Sequence, residues 1–201
     1  INGGFVLVMG DDPGMHSSQN EQDSRYYAEF AKVPLLEPAT QQQAYEMTYE
    51  AFELSEKIGL PVVIRLVTRL AHSRSNVNLR LEQLEPEVRP LPDPNDWTLV
   101  PAAARRRFKD LLDLQPQLRE ISELSKHNSL RMGGKRGIVT SGIAQNYLFE
   151  VLDGAKADTV LTVGQYPLPT KLVRELVDHC DEVWVVEDGY PFIEERISGL
   201  L

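Results

Sequence analysis

The residues best equipped for chemistry lie together near the amino end, in Asp11-Asp12-Pro13-Gly14-Met15-His16-Ser17-Ser18-Gln19. Asp11, Asp12 and His16 supply acceptor and titratable groups, while Ser17, Ser18 and Gln19 add donors. Pro13-Gly14 fixes a tight turn that holds the set together. The same residues could instead simply cap a helix starting near Glu21. Arg25, one turn further on, has two uses: a bidentate grip on a ligand carboxylate, or ion pairs with Glu21 and Glu29 on its own helix. Thr68, Arg69 and His72 follow a strongly apolar run and fit either a ligand edge or the anchor of a linker. His16, His72, His127 and His179 have no partner at helical ligand spacing, so no metal site is expected. Cys180 stands alone, which excludes an internal disulfide and an iron–sulfur cluster held by this chain.

These residues are positioned by an alternating α/β pattern. A strand over residues 5–9 precedes the polar turn and a helix over 21–31, and a strand over 33–36 leads to Thr40, a helix cap with Gln43 three residues on. That helix runs to Ile58, Gly59 stops it, and Pro61 opens a β-branched strand over 62–67. If the sheet is parallel, the 11–19 turn and Thr68 share its carboxyl edge, where ligands of α/β proteins gather. The opening strand has the composition of a buried one yet nothing before it to pair with, and Ile1 is not an initiator Met, so truncation at both ends is expected. Residues 73–96 carry Pro86, Pro90, Pro92 and Pro94 and read as a linker. A helix over 102–127, broken or bent near Pro116, connects to a second βαβ series: strand 137–141, helix 142–152, strand 158–163, helix 169–179, strand 182–187, and a helix from near Pro191. The single glycine of Gly142-Ile143-Ala144 is too little for a dinucleotide fingerprint, and Tyr166-Pro167-Leu168-Pro169 reads as structural. Glu187-Asp188 and Glu194-Glu195 form an acidic cluster, either solvated or facing a basic partner.

Composition sets outer bounds. With 42% hydrophobic and 25% charged residues, the 201-residue chain has the make-up of a soluble globular protein. Its formal net charge of −9 argues against nucleic-acid binding, and the Arg105-Arg106-Arg107 run suits a solvated helix face. Apolar runs such as residues 59–64 are too short for a membrane span, and no secretory leader opens the chain, so a cytoplasmic location is expected.

The turn, continued through Asn20-Glu21-Gln22-Asp23-Ser24-Arg25, resembles a loop of indolepyruvate:ferredoxin oxidoreductase large subunits, members of the thiamine-diphosphate-dependent 2-oxoacid:ferredoxin oxidoreductases. Leu36-Glu37-Pro38, Ala51-Phe52-Glu53-Leu54-Ser55-Glu56 and Pro61-Val62-Val63-Ile64-Arg65-Leu66-Val67-Thr68-Arg69-Leu70-Ala71-His72 continue the likeness. Gly142-Ile143-Ala144, Gly164-Gln165-Tyr166-Pro167-Leu168-Pro169 and residues 185–195 resemble the next domain of the same subunit, itself similar to the transketolase C-terminal domain. The likeness is weakest over 76–95, and the chain departs from the family's pattern at Val67, where a second Thr is usual, and at Gly189, where an acidic residue is usual.

The resemblance implies two parallel-sheet domains: residues 1–75 as part of a thiamine-pyrimidine-binding-type domain, 76–133 as linker and connecting helix, and 134–201 as the transketolase C-terminal-like domain. It also implies oxidative decarboxylation of arylpyruvates to acyl-CoA, with ferredoxin as electron acceptor and a β subunit as partner in an oligomer. The pyrimidine-protonating Glu, the domain holding the diphosphate and Mg²⁺, the iron–sulfur clusters and the coenzyme A site are all expected outside these residues, so the piece is expected to bind no cofactor and to be inactive alone. Within it, the turn suits orienting a 2-oxo acid: His16 is the expected proton-transfer or carboxylate-facing group, with Asp11, Asp12, Ser17, Ser18, Gln19, Arg25, Thr68 and Arg69 on the substrate side. A pyruvate- or 2-oxoglutarate-type enzyme of the same family is the alternative, and a non-catalytic assembly module is another.

Overall fold

The structure, a computed structural model, describes residues 3–80, 90, 93–98 and 100–199. Two four-stranded sheets carry the chain. In the first, β1 (Val6–Asp11), β3 (Val62–Val67) and β2 (Leu35–Leu36) run parallel in that spatial order, and β7 (Gln165–Tyr166) closes the far edge antiparallel to β2. In the second, β6 (Thr159–Val163), β5 (Arg136–Ser141) and β8 (Glu182–Val186) are parallel, with β4 (Ser129–Arg131) antiparallel on β6. Both sheets are therefore mixed rather than wholly parallel. The pieces that make them so, β4 and β7, are three and two residues long, too short to leave an alternating pattern.

The helices are α1 (Ser24–Ala31), α2 (Gln41–Ile58), the single turn α3 (Thr68–Ala71), α4 (Pro101–Glu123), α5 (Ala144–Val151), α6 (Thr170–His179) and α7 (Phe192–Ser198). α2 begins and ends where its caps require. Thr40 Oγ1 accepts from the Gln43 amide at 3.2 Å, and Gln43 Oε1 reaches back to the Ala39 amide at 2.8 Å. Gly59 closes the helix in the left-handed region at φ 70°. α1 starts three residues later than the polar pattern suggests, because Asp23 rather than an earlier residue accepts the first free amide, that of Arg25.

α4 runs unbroken through Pro116, where a break or bend was expected. Pro116 and Leu112, whose carbonyl loses its helical donor there, are both solvent-exposed, so water satisfies what the ring cannot. Of the linker prolines, Pro86 and Pro92 lie outside the described residues. β1 is an exposed edge rather than a buried strand: it pairs with β3 on one side, and Leu7 and Val8 face solvent. Among the described residues no helix is long and apolar enough to cross a membrane.

The two segments share one apolar core. Ala28, Leu35 and Val63 from the first pack with Val139, Leu161, Val163, Val173, Leu176 and Ile193 from the second. The antiparallel addition of β7 to β2 stitches the second segment onto the first sheet, and Ser122 Oγ on α4 donates to the Gln165 carbonyl at 3.0 Å to hold β7 in place. The carboxyl ends of both sets of parallel strands consequently face each other: the Glu37 amide, after β2, donates to the Gly164 carbonyl, after β6, at 2.8 Å.

Candidate functional site

Asp12 organises the turn at the end of β1. Its Oδ2 accepts the amides of Ser17 and Ser18, each at 2.6 Å, and its Oδ1 accepts Thr68 Oγ1 at 2.8 Å. The Ser17 amide, helped by Thr68 and Ser18, outweighs the opposing effect of burial and holds the Asp12 carboxyl well below the usual carboxylate range. The Met15 amide also returns to the Asp12 carbonyl at 3.0 Å, so the turn is internally closed. Asp11, Asp12 and Pro13 are buried at its base, while residues 14–17 and Gln19 form an exposed tip. Ser18 is half-buried, its hydroxyl donating to the Asn20 carbonyl at 2.7 Å.

At that tip, His16 Nε2 lies 3.2 Å from Arg69 Nη2. Arginine only donates, so this contact assigns the lone pair to Nε2 and the ring proton to Nδ1. Arg69 also donates to Tyr147 Oη at 3.2 Å and stacks over that ring at 5.5 Å, and the Tyr147 contact holds its guanidinium more firmly protonated than usual. A histidine, a guanidinium and a phenol from three elements thus meet at the surface. Tyr147, on α5, carried no motif in the sequence and was not anticipated.

Asp11 and Arg25 are not at this tip. Asp11 Oδ2 accepts the Ser24 amide at 2.8 Å, the Ser24 hydroxyl at 3.0 Å and Arg65 Nε at 2.6 Å. Arg25, only 1% exposed, pairs with neither Glu21 nor Glu29. It grips Asp23 at 2.5 Å and Glu187 at 2.6 Å, and donates to the Tyr190 carbonyl at 3.0 Å. The acidic cluster after β8 is therefore split. Glu187 meets a basic partner from the same chain, and Glu194 is solvated.

Arg65 is the network's second centre, 1% exposed, and it too was missed because an arginine inside a β-branched run looks like an interruption. It contacts Asp11, Glu37 and the Asp188 carbonyl, and Glu37 also accepts Tyr166 Oη at 2.7 Å. Burial opposes the charge of both guanidiniums, but Asp23 for Arg25 and Glu37 for Arg65 more than offset it and keep both protonated. Burial, reinforced by Glu37, pushes the Tyr166 phenol far above its ordinary value. Four carboxylates, Asp11, Asp23, Glu37 and Glu187, thus face two guanidiniums. The surplus negative charge is spread onto helix-start amides, Ser24 and Arg25 of α1 and Ile193 and Glu194 of α7. Two backbone positions are shaped by this cluster. A Cβ on Gly142, at φ +48°, would sit 2.5 Å from Glu37 Oε1, and one on Gly189, at φ +116°, 3.0 Å from Arg65 Nη2. A side chain at 189 would strain the backbone and require Arg65 or Asp23 to give way slightly.

Of the residues singled out by sequence, the structure brings together Asp12, Ser17, Ser18 and Thr68 as one hydrogen-bonded unit and His16 with Arg69 as another; it turns Asp11 and Arg25 inward. Among the described residues no group of three His, Cys, Asp or Glu gathers that could hold a metal ion.

No family model matches the chain. Curated archaeal relatives match it end to end. The indolepyruvate oxidoreductase subunit IorA of Methanothermobacter thermautotrophicus is 40% identical over 206 residues, taking in 100% of this chain and 33% of that protein. IorA of Archaeoglobus fulgidus is 37% identical over 207 residues, 98% of this chain and 33% of that protein. Among solved structures, the 2-oxoglutarate:ferredoxin oxidoreductase of Magnetococcus marinus shares the fold at a TM-score of 0.65 and 13% identity, covering 96% of this chain and 43% of that one. The chain spans about a third of the length of its curated relatives, and along that third it is similar to indolepyruvate oxidoreductase subunit IorA proteins over essentially its whole length.

Proposed function

We propose that this chain forms a substrate-side wall of an enzyme that oxidatively decarboxylates arylpyruvates, indolepyruvate first among them, to acyl-CoA with ferredoxin as acceptor. The observation that carries the reading is the turn at residues 12–19: it sits at the carboxyl end of β1, Asp12 clamps it, and it presents His16 beside Arg69 in a chain whose whole length matches IorA proteins. In this reading Arg69, pre-oriented by Tyr147, receives the substrate carboxylate through its fork, and His16 holds or moves a proton next to it. Ser17, Ser18 and Gln19 shape the entrance. Asp11, Asp12, Arg25 and Thr68 act one layer back, by fixing the turn and the contact between the sheets.

Thiamine diphosphate with Mg²⁺ would supply the carbanion-stabilising chemistry of the full enzyme. The buried carboxylates here are committed to guanidinium, phenol or amide partners, so no acid–base step on that cofactor is assigned to them. Iron–sulfur clusters, the coenzyme A site, a β subunit and ferredoxin complete the reading, with a cytoplasmic oligomer as its setting.

The test uses the full-length subunit with its companion subunit. His16→Ala and Arg69→Met are assayed for indolepyruvate-dependent dye reduction, and kcat/KM is expected to fall by roughly 10²-fold in each, the usual scale of a lost acid–base or carboxylate contact. Unchanged turnover in both would reduce the turn to an assembly element, and exclusive turnover of 2-oxoglutarate would remove the arylpyruvate assignment.

A further inference from the structure

A second recess lies away from the His16 tip. A cavity of about 360 Å³ opens between α1, α4, the loop after β7 and α7, within the size range of small-molecule sites. Its wall is apolar where Val33 and Leu168 line it, and the Phe192 ring, 3% exposed, is covered by the Arg196 guanidinium at 3.6 Å. Its charge is opposite to that of the molecule: in a chain of net charge −9, the lining carries Arg25, Lys32, Arg119 and Arg196 against Glu29 alone.

Two of those cations are already spent. Arg25 serves Asp23 and Glu187, and Arg196 is clamped by Glu29 and Glu195. Lys32 and Arg119 are different: among the described residues neither has a carboxylate within ion-pair distance. Lys32 is fixed in place, as the left-handed residue that closes α1 at φ 59°, and its carbonyl accepts Gln115 Nε2 of α4 at 3.1 Å. Two uncompensated cations therefore stand over an apolar recess, each on a rigid backbone.

The kind of anion follows from what else is at hand. Phosphate recognition draws on free amides at a helix start, and those beside this cavity are taken: Glu123 accepts the Lys171 amide at 2.8 Å and the Leu172 amide at 3.3 Å at the start of α6, Glu187 accepts the Ile193 and Glu194 amides at the start of α7, and Asp11 and Asp23 accept those of Ser24 and Arg25 at the start of α1. What remains is side-chain recognition by a planar fork and an ammonium, which suits a carboxylate. We propose that this cavity is a binding site for a small aromatic carboxylate, its ring against Val33 and Leu168 and its charge held by Lys32 and Arg119. The proposal does not rest on the activity proposed above, since its readout is binding.

The test is calorimetric titration of the full-length subunit with phenylacetate, acetate and inorganic phosphate in parallel. Phenylacetate is expected to bind saturably, and Lys32→Ala with Arg119→Ala together to weaken it by at least about tenfold, the loss expected for charge-assisted bonds to a part-desolvated carboxylate. Arg119 is exposed and Lys32 half-buried, so the double variant keeps the core, and an unchanged thermal midpoint verifies it. Acetate and phosphate are expected to bind at least about tenfold more weakly, having no ring to bury. The proposal is overturned by absent phenylacetate binding, by equal binding to the double variant, which would place the ligand elsewhere, or by acetate or phosphate binding as tightly.

Discussion

Arg25 Nη1 donates to Glu187 Oε2 at 2.6 Å, joining the first turn of α1 to the loop after β8 across 162 positions of sequence. Glu187 spends its remaining capacity on the Ile193 and Glu194 amides, so one carboxylate both pairs a buried cation and starts α7. The contact between the two sheets thus has a polar centre inside an apolar rim, and its energetics are those of a desolvated ion-pair network.

Arg25→Met is expected to cost roughly 3–5 kcal/mol, because it strands Glu187 away from water with no cation and leaves Asp23 only the more distant Arg65, at 3.7 Å. Adding Glu187→Gln should recover part of that loss, since the surplus charge falls while the acceptor for the α7 amides stays. Urea midpoints of the two variants measure this. A single variant within about 0.5 kcal/mol of the parent would show that water reaches the network.

Gly142→Ala and Gly10→Ala form a matched pair. At 142 the backbone is left-handed and the new methyl would meet Glu37, whereas at 10 nothing lies within 4 Å. The first should lose more than about 2 kcal/mol and the second stay within about 0.5 kcal/mol, read from thermal midpoints. Equal losses would mean that Glu37 moves freely, contrary to its place against Arg65 and Tyr166.

Asp188 carries a pH signature. Burial raises its pKa above the ordinary value, with Arg65 and Arg69 only partly opposing the effect. A carboxyl whose folded pKa is raised favours the folded state below its unfolded pKa and loses that contribution as pH rises through the folded value. Asp188→Asn should therefore stabilise at pH 7 and change nothing at about pH 3, where the parent is already neutral. The Arg65 contact is to the Asp188 backbone carbonyl and survives the substitution. Destabilisation at pH 7 would reverse the sign and refute the assignment.

Pro116→Ala restores a helical donor at an exposed position inside α4. The helix interior penalises proline by about 3 kcal/mol against alanine, partly offset by the stiffer unfolded chain, so a gain of about 2 kcal/mol is expected. A lower thermal midpoint would show that the proline ring is itself a packing contact.

Local rules alone determined much of this molecule. Thr40 with Gln43 and Gly59 set the limits of α2, the run 62–67 is β3 residue for residue, and Asp12 with Pro13-Gly14 makes the turn it spells, because caps, β-branched runs and tight turns are satisfied by atoms a few residues away. The likeness of ordered segments carried the family as well. Tertiary structure decided which charged residues face outward. Arg65 and Arg25 became the centre of the interface, and Tyr147 came to sit beside Arg69, because their partners lie 54, 162 and 78 positions away. β4 and β7 exist for the same reason: segments of two or three residues have little periodicity of their own, and become strands when a neighbouring sheet offers an edge whose backbone groups need partners.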